Sequence, residues 1–207
     1  MPDWQAEAII LSVRPHGEGS AVISVLTADY GRHAGLVRGG ASSKMRGIMQ
    51  PGNRVRVSWR ARLSEQLGQM RIELIQSVPA LLLDSPLRLS GVASMCALLD
   101  GALPEREAQP GLFEGSAALL DVIVLDDDNF GWVEGYVRWE LGLLAAVGYR
   151  LDLARCVASG QTSDLAFVSP KSGGAVARHQ AGSFASRMLA LPMFLGGVSC
   201  GKHDWIA

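Results

Sequence analysis

Over the first 78 residues the apolar positions recur in short runs with a period near two, the spacing that sends alternate side chains to opposite faces of a strand. Residues 8–13 form a nearly continuous apolar stretch that stops at Pro15-His16-Gly17-Glu18-Gly19, a turn composition. Residues 21–26 are β-branched and apolar and close at Asp29-Tyr30-Gly31, and residues 33–38 end at Gly39-Gly40. Residues 41–49 read as a polar loop or short helix, stopped by Pro51-Gly52. A fourth strand is predicted over 54–62 and a fifth over 69–76. Strands this short, separated by turn signals, suit a small closed or partly open barrel.

After Pro79 the period lengthens to that of helices. Ser85-Pro86 supplies an N-cap and a first helical residue, Gly101 a stop, and Val92, Met95, Cys96 and Leu99 share a face between them. Residues 116–125 form a second apolar segment, ended by Asp126-Asp127-Asp128-Asn129. The strongest helical pattern is 131–147, where Trp132, Tyr136, Trp139, Leu143 and Val147 make one stripe. A hairpin is predicted near 164–178, with Ser169-Pro170-Lys171-Ser172-Gly173-Gly174 as its turn. The predicted class is α+β: a five-stranded barrel of the OB type over 1–78, then a mainly helical domain with a small hairpin over 79–207.

Charge sharpens this division. Residues 1–78 hold ten Lys or Arg against six Asp or Glu, whereas 79–207 hold nine against fourteen. Between residues 31 and 64 stand Arg32, Arg38, Lys44, Arg46, Arg54, Arg56, Arg60 and Arg62, with no acidic residue among them. Such a segment in a chain of net charge -1 is the footprint of a polyanion partner. The fourth strand carries it furthest. Val55, Val57, Trp59 and Ala61 alternate with Arg54, Arg56, Ser58, Arg60 and Arg62, so one face fills a barrel and the other presents guanidinium groups, neighbours about 6–7 Å apart. Guanidinium pairs two-pronged with phosphate and stacks on bases. Arg38, Lys44, Arg46, Arg54, Arg56, Arg60 and Arg62 are therefore the candidate nucleic-acid contacts. A plain solvated face, an RNA-binding barrel and a protein-interaction module meeting an acidic partner are the competing readings.

Signals for catalysis fail on inspection. Gly196 to Gly201-Lys202-His203 resembles a phosphate loop but lacks the Ser or Thr that holds magnesium. The four histidines have no metal-ligand spacing with one another or with a cysteine, and no nucleophile–base pattern stands out. No enzyme activity and no cofactor are expected. Cys96, Cys156 and Cys200 are odd in number and widely spaced, which suits reduced thiols and a cytoplasmic setting. No apolar run reaches the length of a membrane span, and residues 1–5 show no secretory signal.

Distributed residues resemble bacterial RecO proteins. They are Trp4-x-Ala6-x-Ala8-Ile9-Ile10-Leu11 with Arg14-Pro15-His16-Gly17-Glu18, Leu26-Thr27 with Tyr30-Gly31, Val37-Arg38-Gly39-Gly40, and Gln50-Pro51-Gly52. In the second half they are Tyr136-Val137-Arg138-Trp139-Glu140-Leu141 with Leu144, and Gly148-Tyr149-x-Leu151-Asp152-Leu153-x-x-Cys156. The resemblance implies an N-terminal OB-fold, a helical second domain, and binding to single- and double-stranded DNA. It further implies annealing of strands coated by single-strand-binding protein, and loading of RecA together with RecR. By the same resemblance the helical domain receives the C-terminal tail of single-strand-binding protein, with Arg138 as the candidate cation. Glu134, one turn earlier, offers Arg138 an ordinary helical ion pair instead. Some relatives hold zinc between paired cysteines in the hairpin region. Here Ser159 stands at the second position and Gly173-Gly174 in the turn, so no zinc is expected. The ending after Leu191-Pro192-x-Phe194-Leu195 is atypical for the family, and a shortened C-terminus is the corresponding expectation.

Overall fold

The computed structural model describes residues 2–40, 42–126 and 130–198, without the side chain of Lys44. The Asp127–Asn129 part of the acidic run, Cys200, and the end of the phosphate-loop look-alike lie outside the described residues. The protein is α+β: a five-stranded N-terminal barrel followed by helices and a small second sheet. Two compact units emerge, Met1–Trp139 and Glu140–Ala207.

In the first unit, β1 (Asp3–His16), β2 (Ser20–Thr27), β3 (Gly31–Val37), β4 (Arg54–Arg60) and β5 (Gln69–Gln76) close in the order β1-β2-β3-β5-β4. Neighbours pair antiparallel except for a single parallel bridge, Leu36 to Gln69. The interior is built from the alternating apolar positions. Ala8, Ile10, Ile23, Val25, Val55, Val57, Trp59 and Met70 form one buried cluster. The short helix α1 (Ser43–Ile48) sits between β3 and β4, capped at its start by the Ser42 hydroxyl.

β1 is twice the length expected, and its two halves do different work. At Ala8, Ile9, Ile10 and Leu11 four consecutive side chains are buried, which requires cover on both faces. The second cover is α3 (Pro86–Ala102). Its Cys96 thiol donates to the Ile10 carbonyl at 3.5 Å. Burial pushes that thiol up to about 12, so it stays protonated. The first half, residues 3–7, alternates exposed and half-buried and pairs with β4. The apolar-run reading missed it because Asp3, Gln5 and Glu7 interrupt every hydrophobic position.

Helix α4 (Pro110–Leu125) begins six residues before the expected segment, with Pro110 in its first turn, where a missing N–H costs nothing. Ser116 Oγ donates to Leu112 O and accepts the Trp139 indole N–H at 2.9 Å, all of it buried. That bond ties α5 (Gly131–Ala146) to α4. A four-residue helix α2 (Val78–Leu81) links barrel to helices. The change of period near 78–79 coincides with the end of β5, yet the compact unit continues to Trp139 because α3 and α4 rest on β1 and β2.

In the second unit, β7 (Leu165–Val168) and β8 (Gly174–Ala177) make the expected hairpin, with Ser169 N–H donating to Gly174 O across its turn. It is part of a larger sheet. β6 (Asp152–Cys156) adds parallel to β8 and β9 (Leu189–Ala190) adds to β7, giving the order β6-β8-β7-β9. A four-residue helix α6 (Arg178–Ala181) follows β8.

A strap of residues 103–109 crosses the barrel end. Arg106 N–H donates to Arg32 O at 2.7 Å, and Arg32 reaches Leu103 O, Asp100 and Glu105. The fit is tight at Gly31, which sits at φ +61 and where a Cβ would lie 1.9 Å from Glu107 O. Gly17 has a similar φ of +56 but open space around it. Gly17→Ala should therefore cost about 1 kcal/mol from the backbone alone, and Gly31→Ala more than about 2 kcal/mol. Urea denaturation of both variants checks this; equal midpoints would mean that the strap does not bear on Gly31.

Candidate nucleic-acid interface

The outward side chains of β1, β4 and β5 form one face, and the register fixes what stands beside what. One rung is Asp3–Arg60–Gln69, the next Gln5–Ser58–Arg71, the third Glu7–Arg56–Glu73, and the fourth brings Arg54 beside Ile9 and Gln76. The basic run of β4 is thus interleaved with carboxylates after all, supplied by the flanking strands. Arg60 lies 3.6 Å from Asp3 and Arg56 3.9 Å from Glu7. Arg54, at the end of the face approached by the helices, pairs with Asp121 of α4 at 3.0 Å. All of these carboxylates are at least half exposed, and such pairs stabilise a protein by at most about 1 kcal/mol.

The remaining candidates are dispersed. Arg38 is exposed just after β3, and Arg46 is exposed in the last turn of α1, its carbonyl accepting from Gln50 at 2.7 Å. Lys44 lies in α1 with its side chain outside the described residues. Arg62 falls beyond β4, in the 61–68 loop, and not on the strand as expected, because pairing stops at Arg60. Among the described residues Arg38, Arg46 and Arg62 make no ion pair. So the structure gathers Arg54, Arg56 and Arg60 on one face, places Arg62 at its open end, and leaves Arg38 and Arg46 on other elements.

At that open end the surface is concave. A cavity of about 470 Å³ is lined by Gln5, Ser58, Arg60, Gln69 and Arg71 among others. A second, of about 270 Å³, is lined by Arg60, Arg62, Gln66 and Gln69. Arg71 and the polar groups around it were not among the residues singled out from the sequence. The signal was available: β5 alternates Gln69, Arg71, Glu73 on its outer side.

Beneath this end lies an aromatic plug. Trp4 stacks on Tyr30 at 4.3 Å between ring centroids, and His33 meets Trp59 edge-on at 4.7 Å. His33 is buried, with Nδ1 3.0 Å from Ala34 O; a carbonyl only accepts, so Nδ1 carries the proton. Burial lowers its pKa below 6.5, opposed by the Ala34 bond and reinforced by Arg106.

Elsewhere, Arg138 is exposed on α5, one turn after Glu134. Cys156 is buried at the end of β6, and its Sγ accepts the Ala177 N–H at 3.3 Å. Burial opposes its thiolate, but hydrogen bonds from Ser159 and from the backbone of Ala177, Ala158 and Ser159 bring it down to about 7. With a hydroxyl at 159 and glycines at 173 and 174, the residues present do not fit a four-thiolate zinc site. Among the described residues no three His, Cys, Asp or Glu side chains converge, and no helix is long and apolar enough to cross a membrane.

A closed barrel with guanidinium groups and a polar groove on its outer face, followed by helices, defines the α+β class of this protein. Comparison with known proteins gives the family. The family model Recombination protein O N terminal matches residues 1–78, and Recombination protein O C terminal matches 83–207. The DNA repair protein RecO of Rhodospirillum centenum is 49% identical over 204 residues, covering 98% of this chain and 80% of that one. That of Jannaschia sp. is 46% identical over 205 residues (99% and 82%), and that of Gluconacetobacter diazotrophicus 42% over 207 (98% and 82%). The chain belongs to the RecO family.

His33 gives a pH test of the plug. Its folded pKa is lowered, so as pH drops below about 6.5 the unfolded chain takes up the proton first and stability falls. The urea midpoint should decrease between pH 7.5 and 5.5 in the natural chain, and that decrease should shrink in His33→Phe. Identical pH profiles would remove His33 from the plug's energetics.

Proposed function

We propose that this protein binds DNA through its N-terminal barrel and acts in recombinational DNA repair. In this reading 1–78 is an OB-fold nucleic-acid-binding domain and 79–207 a partner-binding domain. The protein is a mediator without catalytic activity, working in the cytoplasm. It anneals complementary strands and helps load RecA on DNA coated by single-strand-binding protein, with RecR as a further partner. The observation that carries the reading is the guanidinium-bearing outer face on a barrel of order β1-β2-β3-β5-β4, in a chain whose relatives are named DNA repair proteins. OB barrels commonly take single strands on charged, aromatic-bearing surfaces. Arg38, Lys44, Arg46, Arg54, Arg56, Arg60 and Arg62 are proposed as the phosphate contacts, and Arg138 as the contact for the tail of single-strand-binding protein.

The paired arginines do not weaken the reading. Exposed ion pairs at 3.6–3.9 Å exchange a carboxylate for a phosphate at little cost, and a phosphate chain adds the entropy of released counterions.

If about four cations engage a single strand, log affinity for an oligonucleotide should fall against log salt with a slope near -3. The annealing of complementary strands coated with single-strand-binding protein should fall with it. A flat salt dependence, or matched RNA bound more tightly than DNA, would contradict the proposal; the latter points to the 2′-hydroxyl as the recognised group.

A further inference from the structure

Resting on that reading, we infer that the groove at the Arg60 end of the β1–β4–β5 face is where a single strand of DNA is held, with Arg71 and Arg62 as its principal phosphate contacts. Four observations lead there. The two cavities share Arg60 and Gln69, so they adjoin along a path from the strands to the 61–68 loop. Arg71 and Arg62 are exposed and, among the described residues, have no carboxylate within ion-pair distance, unlike Arg54, Arg56 and Arg60. The rung holding Arg71 contains Gln5 and Ser58, neutral groups able to bond phosphate or sugar oxygens. The next rung is Glu7–Arg56–Glu73, with two carboxylates to one guanidinium. The side chains of the groove rung therefore carry a formal positive charge, and those of the next rung a negative one.

The loop that presents Arg62 is fixed before any ligand arrives. Arg106, from the strap, donates to Ser64 O and to Gln66 O, the latter at 2.9 Å. The Trp59 indole N–H donates to Leu67 O at 2.9 Å. Gly68, at φ +67, lies so close to the Trp59 ring that a Cβ there would be 2.4 Å from Nε1. A cation on a loop already ordered loses little entropy on binding. Two carboxylates are near: Asp3 lines the larger cavity and Glu65 sits on the loop, its side chain accepting from Ser64 Oγ at 2.6 Å. Neither removes the excess, since Arg60, Arg62 and Arg71 line the two adjoining cavities between them. The cavity has the volume of a small-molecule site, suited to a short stretch of an extended strand. A duplex, being a convex rigid cylinder, reaches its rim alone.

The test is fluorescence anisotropy of labelled oligo-dT with the full chain, across a salt series, for Arg62→Gln/Arg71→Gln and for Arg155→Gln. Thermal melts of each variant check folding. All three side chains are exposed, so melts should match the natural chain. The double variant should bind several-fold more weakly with its salt slope shallower by about 1.4, two single-strand phosphate contacts. Arg155→Gln should change affinity less than about twofold, because Arg155 stands on β6 in the second unit and not on the barrel face. If the natural chain binds and the double variant binds equally with the same slope, the groove is not the site although the proposed function stands. If the natural chain ignores oligo-dT at low salt, the proposed function itself falls. Unlabelled duplex of matched length should compete poorly; equal competition would overturn the single strand as occupant.

Discussion

The pairing of β1 with β4 is the constraint from which the rest of the first unit follows. It closes the barrel, and because register is fixed by burial on one face, it dictates the other face as well. With Val55 and Val57 committed to the interior beside Ala8 and Ala6, Arg56 must stand next to Glu7 and Arg60 next to Asp3. A shift by one residue would place three arginines, Arg54, Arg56 and Arg60, in the barrel, an uncompensated cost of several kcal/mol for each charge. The same strand, four residues further on, is covered by α3 on its outer side. β1 is thus wall to the barrel and floor to the helices, and the basic face can be open only where the helices leave it.

The electrostatic pattern is a consequence of this geometry more than of composition. Counted along the chain, residues 31–64 look uniformly positive. Folded, the face is a checkerboard whose excess survives at the end where Arg71 and Arg62, neither in an ion pair among the described residues, line adjoining cavities. Exposed charges are screened over about 10 Å at moderate salt, so the local arrangement matters to a bound phosphate and the net charge of -1 does not. The strap adds rigidity: Arg32 holds its start and Arg106 its far side, and through Arg106 the helical layer orders a loop of the barrel.

Much of the fold was legible in the sequence. Period-two alternation places all five barrel strands, and Val92, Met95, Cys96 and Leu99 mark the buried face of α3 as the structure has it. What a search for apolar runs could not convey was the polar first half of β1, where Asp3, Gln5 and Glu7 separate Trp4 and Ala6. Nor could it reveal β6 and β9, whose few residues gain their strand character from β8 and β7. At the site the limit was dimensional. A run of basic residues is read along one strand, whereas Asp3, Glu7, Glu73 and Arg71 arrive across it from positions far apart in sequence. The candidate stripe was visible; its neutralisation by neighbours, and the groove beside it, depend on register.

Asp3 offers the most direct measurement of whether this outer face meets a sugar-phosphate chain. Its carboxylate lines the groove and pairs with Arg60, and its replacement by asparagine keeps the shape while releasing the guanidinium. Titration of Asp3→Asn with a single-stranded oligonucleotide at two salt concentrations should show tighter binding and a steeper salt dependence than the natural chain. Unchanged affinity and slope, in a variant that melts normally, would place the phosphate chain on some other surface.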